Sequence, residues 1–386
     1  MCVDLFYPYL LGGTENRYFA LGREFARTGD EVDVLTMSLS NQPSYEELED
    51  GRLRITRVGF KPQPFRDRSL TALLAYTFSS LFRSEPLRSC DFLDINWTGA
   101  IPGKLAAMRA QVPCCVTFHD VFRGTPAASQ GYGPIASLVE TTVALTQRNG
   151  RFVAVSEATK RRLHLCLGLR PDQIHVVPNG VDLADYPPQS VEKPSRKTGT
   201  KSLVCVGRLA PYKNVGHAIE TVKILLLRGQ RVDLQIIGDG PDAARLRRLA
   251  EELGVTEHVS FLGFASDRRA VIKLMSDADV LVSPSMFEGF GMVLLEGMAA
   301  GTPVVAYDLE AYRDFAVNQQ NSLLVRPGRV DLLAEAVQSV LSDEQLSSSL
   351  IRSGLETARR FSWKEIARRA RDVYSLIARS WSETKR

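Results

Sequence analysis

This sequence of 386 residues has no long apolar run, no large excess of one charge and no ordered cysteine pattern. Its longest apolar stretch is Leu70–Phe82. A helix that crosses a bilayer needs about 20 apolar residues, so this stretch is too short. The first residues, Met1-Cys-Val-Asp-Leu, lack the basic segment that opens a signal peptide. We therefore predict a cytoplasmic protein.

Charge and cysteine content exclude further classes. The chain has 48 basic and 44 acidic side chains, a net charge of +4, which is too small to argue for nucleic acid. No DNA- or RNA-binding motif accompanies it. The six cysteines lack metal-binding or redox spacing, and most lie in apolar runs, so we expect free buried thiols in a reducing compartment. Asp277 and Asp279 are an isolated Asp-x-Asp pair without a third acid nearby, so we predict no metal site.

The chain is long enough for two domains. Both halves alternate strand and helix patterns, which predicts an α/β protein with two Rossmann-like, doubly wound parallel sheets facing across an active cleft. We predict an N-terminal domain over 1–183 and a second domain over 201–363. A linker rich in Pro, Ser and Lys, 184–200, should join them.

The most informative stretch runs from Ser283 to Gly301. It follows an apolar strand and leads into a helix that begins near Met292. Glu288 then lies on the loop at the strand's carboxyl end, and Glu296 lies inside the helix. A helix N-terminus beside glycines suits a phosphate, and carboxylates accept hydrogen bonds from diols. Phosphate together with polyol indicates a sugar nucleotide; the alternative is that both acids are solvated.

Three further candidates follow strands of the first domain. Gly12 and Gly13 form the first turn of a βαβ unit, before a helix that we expect to be capped by Thr14. They are either an ordinary tight turn or a close approach to a diphosphate. His119 ends a buried strand at the sheet edge where open α/β proteins bind ligands, although a lone histidine is more often a satisfied or solvated residue.

Three candidates lie in the second domain. Arg208 and Lys213 occupy the loop between strand 201–207 and the helix that follows it. They are either surface cations or a grip on a diphosphate, with Arg as a planar fork and Lys as a point charge. Gly238 opens a Gly-x-Gly-x-x-Ala pattern, a weak dinucleotide signal that would otherwise suggest a dehydrogenase.

These motifs together resemble the retaining GT-B glycosyltransferases of the family 4 type over essentially the whole chain. The resemblance is carried by Glu288-x7-Glu296 with Gly-Phe-Gly inside it, Gly207-Arg-Leu…Lys213, Pro178-Asn-Gly-Val-Asp182 and the Gly12-Gly13 turn. It implies transfer of a hexose-type sugar from UDP or GDP to a hydroxyl of a glycan, lipid-linked or small-molecule acceptor. It implies no metal and no tightly bound cofactor, with the nucleoside-diphosphate sugar as substrate.

The resemblance also assigns roles. Glu296 would hold the ribose diol, while Glu288 and the backbone of Phe290 and Gly291 would hold sugar hydroxyls. His119 would orient the sugar or the acceptor. The remaining residues would contact the diphosphate or line the nucleotide cleft: Gly12, Gly13, Arg208, Lys213, Gly238, Phe264, Met292 and Val293. Two alternatives on the same fold stay open, a sugar-nucleotide epimerase and an inactive nucleotide-sugar-binding subunit.

The C-terminal segment is basic. Residues 359–386 carry nine cationic and three acidic side chains. In GT-B enzymes the last helix, here about 364–386, packs back on the first domain. Its basic face is either solvated or attracted to an anionic membrane surface at which a lipid-linked acceptor would lie.

Overall fold

The computed structural model of the protein describes residues 1–3, 6–7, 12–38, 42–59, 90–125, 133–146, 150–186, 199–265 and 267–384. The predicted helix Ser69–Phe82, most of the predicted linker (187–198) and the cations Lys385 and Arg386 lie outside these residues. The described elements up to residue 186 are β1 (Val32–Met37), β2 (Tyr45–Leu48), β3 (Leu53–Val58), β4 (Leu93–Asn96), β5 (Cys114–Phe118), β6 (Phe152–Ala154) and β7 (Ile174–Val176), with helices α1 (Gly13–Arg27), α2 (Ala100–Ala110), α3 (Gly133–Thr146) and α4 (Glu157–Leu167). Those from residue 199 are β8 (Lys201–Val206), β9 (Val232–Ile237), β10 (Val259–Gly263), β11 (Val280–Ser283), β12 (Val304–Tyr307) and β13 (Leu323–Val325), with α5 (Gly216–Leu227), α6 (Ala243–Glu252), α7 (Arg268–Asp277), α8 (Met292–Ala299), α9 (Val330–Ser342), α10 (Glu344–Arg360) and α11 (Trp363–Thr384).

The described residues divide into two compact units. The first consists of the chain up to Gly124, residues 133 to Asn179, and the chain from Trp363 on; the second runs from Gly180 to Ser362. Helix α11 therefore belongs to the first unit, although it follows the second in sequence, and it packs against α1.

The sheet of the first unit is mostly parallel. β4, β5, β6 and β7 pair in that order, all parallel, and β1 pairs in parallel with β3. Cys2 makes parallel bridges to Leu35 of β1 and Ile95 of β4, so the chain start joins the two groups of strands. The strand β2, which the sequence patterns did not predict, adds to β3 in the antiparallel sense, so this sheet is not parallel throughout.

Helix α1 departs from its predicted details. Its N-cap is Gly12 in extended conformation, so Thr14 lies inside the helix and does not cap it. The sequence pattern predicts an apolar face of Phe19, Ala20, Phe25 and Ala26; the last two are buried, but Phe19 and Ala20 are only partly buried. The buried face also contains Tyr18 and Leu21, because residues three and four apart share one side of a helix.

A buried carboxylate connects α11 to this sheet. Asp94 of β4 is 3% exposed and accepts hydrogen bonds from Thr117 Oγ1 at 2.6 Å, Tyr374 Oη at 2.5 Å and Tyr18 Oη at 3.2 Å. Burial is the main cause that raises the pKa of both tyrosines, so their hydroxyls stay protonated and donate. The network fixes α11 and α1 on β4 through hydrogen bonds that a buried acid requires.

The second unit is built on one six-stranded sheet in the order β10-β9-β8-β11-β12-β13, with every neighbouring pair parallel. β11 and β12 are buried at every position, as expected for strands with helices on both faces. The sequence pattern also predicts a helix near Ala311–Ala316, and this prediction is wrong, since the structure has a 3₁₀ turn at Glu310–Tyr312. Strand order reverses between β8 and β11, and in such sheets ligands bind outside the carboxyl ends of the strands at this point.

Candidate active site

The two strands at the reversal point each deliver one charged residue beyond their carboxyl ends. The chain leaving β8 reaches Lys213 in a 3₁₀ turn, Pro211–Lys213, and the chain leaving β11 reaches Glu288. The two loops are joined by their backbones, since the Met286 N–H donates to the Tyr212 carbonyl at 2.8 Å. Parallel pairing of β8 with β11 brings the loops to the same edge.

Lys213 and Glu288 form an ion pair. Lys213 Nζ donates to Glu288 Oε1 at 2.6 Å, and the side chains are 19% and 14% exposed. The ammonium group also lies 5.7 Å from the centroid of the Tyr212 ring. Because both side chains are mostly shielded from water, their charges attract each other more strongly than those of an exposed ion pair do. The arrangement offers a charge for a phosphate beside an acceptor for hydroxyl groups.

Gly238 has a structural reason to be glycine. Its φ is +141°, and a Cβ atom there would lie 1.9 Å from the carbonyl oxygen of Gly207, which no side chain could tolerate. The Gly207 N–H donates to the Ile237 carbonyl, and the Gly238 N–H donates to the Gly263 carbonyl. Gly238 therefore allows the loops after β8, β9 and β10 to pack against one another, and this requirement for glycine does not depend on a ligand.

Gly291 is the N-cap of α8 and has a φ of +95°. A Cβ atom there would lie 2.3 Å from the ring of Tyr312, so the glycine admits this buried ring against the helix start. The side chain of Phe290 is 3% exposed and packs against Phe315 with ring centroids 4.9 Å apart. Any contact of Phe290 with a ligand must therefore come from its backbone, as the sequence interpretation assumes. Met292, the first residue of α8, is only partly buried.

Glu296 of α8 has a partner that the sequence patterns did not reveal. Arg268, at the start of α7, donates from Nη1 to Glu296 Oε1 at 3.2 Å and from Nε to Asp185 Oδ2 at 3.0 Å. Burial acts to lower the pKa of Arg268, but the charges of Glu296 and of the neighbouring groups outweigh it, so the guanidinium stays charged. Glu296 is thus held by a cation 28 residues away in sequence. No motif of the sequence linked Arg268 to Glu296.

Three other predicted residues, Arg208, Phe264 and Val293, differ in how far they are exposed to solvent. Arg208 lies two residues after the end of β8 and is exposed. Phe264 follows β10 and is 53% exposed, a high value for an aromatic ring. Val293, on the first turn of α8, is partly buried. All three lie on loops or helix starts at the carboxyl edge of the same sheet.

The remaining candidates belong to the first unit. Gly12 and Gly13 form the start of α1, and a Cβ atom at Gly12 would lie 2.8 Å from a carboxylate oxygen of Glu15. His119 follows β5 and is 8% exposed. Within the described residues, neither of its ring nitrogens has a hydrogen-bond partner. Burial, and secondarily the charge of Arg17, holds the pKa of His119 well below its usual range, so the imidazole is neutral at pH 7.

We expect the buried His119 to make the first unit less stable in acid. Its folded-state pKa lies below the unfolded value of 6.5, so the unfolded chain binds the extra proton. The contribution of neutral His119 to the free energy of unfolding is therefore complete above pH 6.5. It decreases as the pH drops below that value, by at most about 1.4 kcal/mol per pH unit. The melting temperature of His119→Asn should change less between pH 7.5 and 5.5 than that of the wild type. His258→Gln is the control, because this imidazole is 40% exposed and lies in the second unit. Equal pH dependence in the His119→Asn variant and the wild type would contradict the assignment.

The loop after His119 is held by an acid that sequence patterns missed. Glu140 of α3 is fully buried and accepts from the backbone N–H groups of Phe122 at 2.8 Å and Arg123 at 3.1 Å. Burial raises the pKa of Glu140, against the effect of these two hydrogen bonds. Because the pair of N–H groups lies three and four residues after His119, Glu140 positions the backbone that leaves the strand.

The described ranges show neither a metal-binding cluster nor a membrane-spanning helix. No group of three or more His, Cys, Asp or Glu side chains there could hold a metal ion. No helix in that part of the chain is both long and apolar enough to span a bilayer. The six cysteines are free, and three of them, Cys2, Cys115 and Cys205, are buried.

Comparison with known proteins accounts for both halves of the chain. The model described as "Glycosyltransferase Family 4" matches residues 11–185, and the model described as "Glycosyl transferases group 1" matches residues 188–357. The chain is 31% identical to a D-inositol 3-phosphate glycosyltransferase of Jonesia denitrificans, covering 94% of this chain and 91% of that protein. It is 32% identical to a phosphatidyl-myo-inositol mannosyltransferase of Mycobacterium leprae, covering 100% and 99%.

A solved structure shares the fold. Anabaena HepE in complex with UDP and glucose superposes with a TM-score of 0.74 at 19% sequence identity, over 97% of this chain and 98% of that one. The class is thereby defined: the fold is GT-B, and the protein is a glycosyltransferase. The chain belongs to the family 4 glycosyltransferases, whose C-terminal half carries the group 1 domain.

Proposed function

We propose that this glycosyltransferase moves a hexose-type sugar from UDP or GDP to a hydroxyl group, with retention at the anomeric carbon. The observation that carries the proposal is the Lys213–Glu288 pair at the reversal point of the second sheet. A phosphate needs a cation and a sugar needs hydroxyl acceptors, and this pair supplies one of each at contact distance. The UDP and glucose bound to Anabaena HepE support this choice of ligand class.

The donor would displace the ion pair. A diphosphate oxygen takes the place of the Glu288 carboxylate at Lys213, and a sugar hydroxyl donates to the carboxylate that is released. Arg208 is exposed on the same loop as Lys213 and adds a second cation for the diphosphate. The free N–H groups at the start of α8, near Met292 and Val293, contribute partial positive charge. Because each side chain exchanges one polar contact for another, separating Lys213 from Glu288 requires little net free energy.

Glu296 would accept hydrogen bonds from the ribose diol, and Phe264 and Gly238 would border the base. The backbone at Phe290 and Gly291 would contact sugar hydroxyls. In the first unit, His119 would act as a neutral hydrogen-bonding group toward the sugar or the acceptor, since its pKa is well below 7. Gly12 and Gly13 would allow close approach of backbone to the diphosphate.

The reaction exchanges one bond at the anomeric carbon. The bond from that carbon to the diphosphate oxygen breaks, an oxocarbenium-like centre develops, and a bond to the acceptor oxygen forms on the same face. The acceptor proton passes to the departing phosphate. Lys213 and Arg208 stabilise the charge that develops on the leaving group, which is where preorganised cations lower the barrier most. We propose that they do so without a metal; transfer should then persist in excess chelator.

The acceptor is proposed from the relatives. The names of two similar enzymes state inositol phosphate and phosphatidylinositol substrates, so a polyhydroxyl acceptor, free or lipid-linked, is the first to test. We propose a cytoplasmic enzyme, with peripheral contact to anionic lipid through α11 if the acceptor is lipid-linked. That contact would be modest, because Arg368 is paired with Glu365 and Asp372, and Arg371 with Asp30.

The decisive experiment measures thermal stabilisation by UDP, GDP, ADP and dTDP, followed by product analysis with the matching sugar nucleotide. Stabilisation by UDP or GDP and transfer to a cyclitol or glycan hydroxyl support the proposal. If the donor alone yields an altered free sugar, the protein is a sugar-nucleotide epimerase. If a nucleotide binds but no acceptor is glycosylated, the protein is an inactive nucleotide-sugar-binding subunit. No stabilisation by any of the four nucleotides would contradict the assignment of the site.

A further inference from the structure

We propose that Arg268 is the residue that positions Glu296 for recognition of the nucleotide ribose, and that it makes the enzyme selective for ribo- over 2′-deoxyribonucleotides. The inference rests on the proposed function, which assigns the ribose diol to Glu296. It adds a residue outside the family's Glu-x7-Glu motif that decides how well that carboxylate performs.

The geometry connects three segments of the second unit through one guanidinium. Nη1 of Arg268 contacts Glu296 on α8, and Nε contacts Asp185 in the 3₁₀ turn Leu183–Asp185. Arg268 and Asp185 have side chains about two-fifths exposed, whereas that of Glu296 is 14% exposed. The carboxylate that would contact the ribose is therefore the most enclosed of the three side chains.

Only one carboxylate oxygen of Glu296 is used in this cluster. Arg268 donates to Oε1, and Oε2 accepts no hydrogen bond from the residues that the structure describes. A carboxylate fixed at one oxygen presents the other in a defined direction, and pre-ordering of this kind reduces the entropy lost on binding. Without the guanidinium, the Glu296 side chain would sample several rotamers and would lose that order before the ligand arrives.

The charge of the cluster favours hydroxyl donors over phosphate. One cation, Arg268, is shared by two acids, Glu296 and Asp185, so the three side chains carry a net charge of −1. A phosphate would be repelled there, while a diol can donate two hydrogen bonds to a charged acceptor. This separates the cluster from the Lys213 loop, where the cation and the acid cancel.

A buried hydroxyl beside the cluster gives independent support. Tyr186, next to Asp185 in sequence, is 8% exposed, and in the described part of the chain its Oη has no hydrogen-bond partner. A buried polar group without a partner costs free energy unless a water or ligand completes it. Burial and, after it, the charge of Glu296 raise the pKa of Tyr186, so the hydroxyl is a proton donor close to that carboxylate. A ribose hydroxyl can accept from it while donating to Glu296.

The test compares affinities for UDP with 2′-deoxy-UDP, and for GDP with 2′-deoxy-GDP, by calorimetry. The wild type should bind the ribonucleotide about tenfold or more tightly, the range expected for one hydrogen bond to a charged group. In Arg268→Gln, affinity for the ribonucleotide should fall about tenfold, affinity for the deoxynucleotide should hardly change, and the ratio should approach one. Arg268→Lys should restore part of the ratio. Arg269→Gln, the exposed neighbour, is the matched control and should keep it.

The outcomes distinguish this inference from the function on which it rests. Unchanged discrimination in Arg268→Gln, at wild-type nucleotide affinity, overturns the role of Arg268 and leaves the proposed function intact. Equal binding of ribo- and deoxynucleotide by the wild type overturns the assignment of the ribose to Glu296. A lower melting temperature with unchanged discrimination means that the ion pairs serve stability alone, which also overturns the inference.

Discussion

Replacing Lys213 by alanine should lower the rate of sugar transfer by about 100- to 1000-fold. The ammonium group is the cation placed at contact distance from the candidate sugar-binding carboxylate, and loss of one preorganised donor to a developing charge has an effect of this size. Because the interaction strengthens as the phosphate departs, kcat should fall more than the affinity for the donor. Single-turnover kinetics with the sugar nucleotide identified by the nucleotide panel measure this.

The variant also leaves Glu288 without its cation, which would confuse stability with catalysis. The side chain of Glu288 is 14% exposed, so loss of the Lys213 cation beside its carboxylate should lower the melting temperature. The double variant Lys213→Ala/Glu288→Gln should recover most of that loss and still fail to transfer sugar. Lys273→Ala is the matched control, since it breaks an exposed ion pair with Asp277 and should leave the rate unchanged. Wild-type transfer in both Lys213→Ala and Glu288→Gln would refute the site.

The positions of these two residues could be predicted because they follow buried strands. Apolar β-branched runs identify β8 and β11, so Lys213 and Glu288 were each expected on a loop that follows a strand of the second domain. That the two loops are neighbours follows from the pairing of β8 with β11, which the structure shows. Their direct contact was not expected: the sequence interpretation gave Lys213 to the phosphate and Glu288 to the sugar. Pairing of side chains depends on loop conformation, which periodicity does not encode.

Other parts of the site depend on packing that no local pattern reveals. Arg268 meets Glu296 only because α7 and α8 approach each other in space. Gly238 looked like part of a nucleotide signature, yet its requirement for glycine comes from the carbonyl of Gly207. A pattern that predicts a nucleotide site can therefore contain a residue, such as Gly238, whose identity the packing of the fold already requires.

The same limit explains why the role of Arg17 was not predicted. An arginine on the first turns of a helix is usually solvated, but Arg17 shares the buried side of α1 with Leu21 and is itself fully buried. Its Nη1 donates to the carbonyls of Val177 and Pro178, at 3.0 and 2.7 Å, and to Asn179 Oδ1 at 3.0 Å. It therefore connects α1 to residues 177–179, where the chain leaves the first unit for the second.

We expect Arg17→Ala to destabilise the first unit by about 3 kcal/mol or more. Three buried acceptors lose their donor, at about 1–3 kcal/mol for each acceptor left unsatisfied, and a cavity forms. Opposing this, Nε and Nη2 of Arg17 have no partner among the described residues, so removing the cation relieves part of its desolvation cost. We expect the loss of the hydrogen bonds to be the larger effect on stability, because three acceptors depend on one guanidinium nitrogen.

Arg17→Met separates these effects, since it fills the volume without supplying donors or charge. It should be about half as destabilising as Arg17→Ala in denaturant unfolding followed by a probe in the first unit. The pKa of His119 should rise in the methionine variant, because the charge of Arg17 is one of the two causes that lower it; NMR titration of the imidazole measures this. If the methionine variant is as stable as the wild type, the desolvation free energy of the buried guanidinium equals the stabilisation that its three hydrogen bonds contribute. Arg17 would then be kept for its influence on His119 and not for stability.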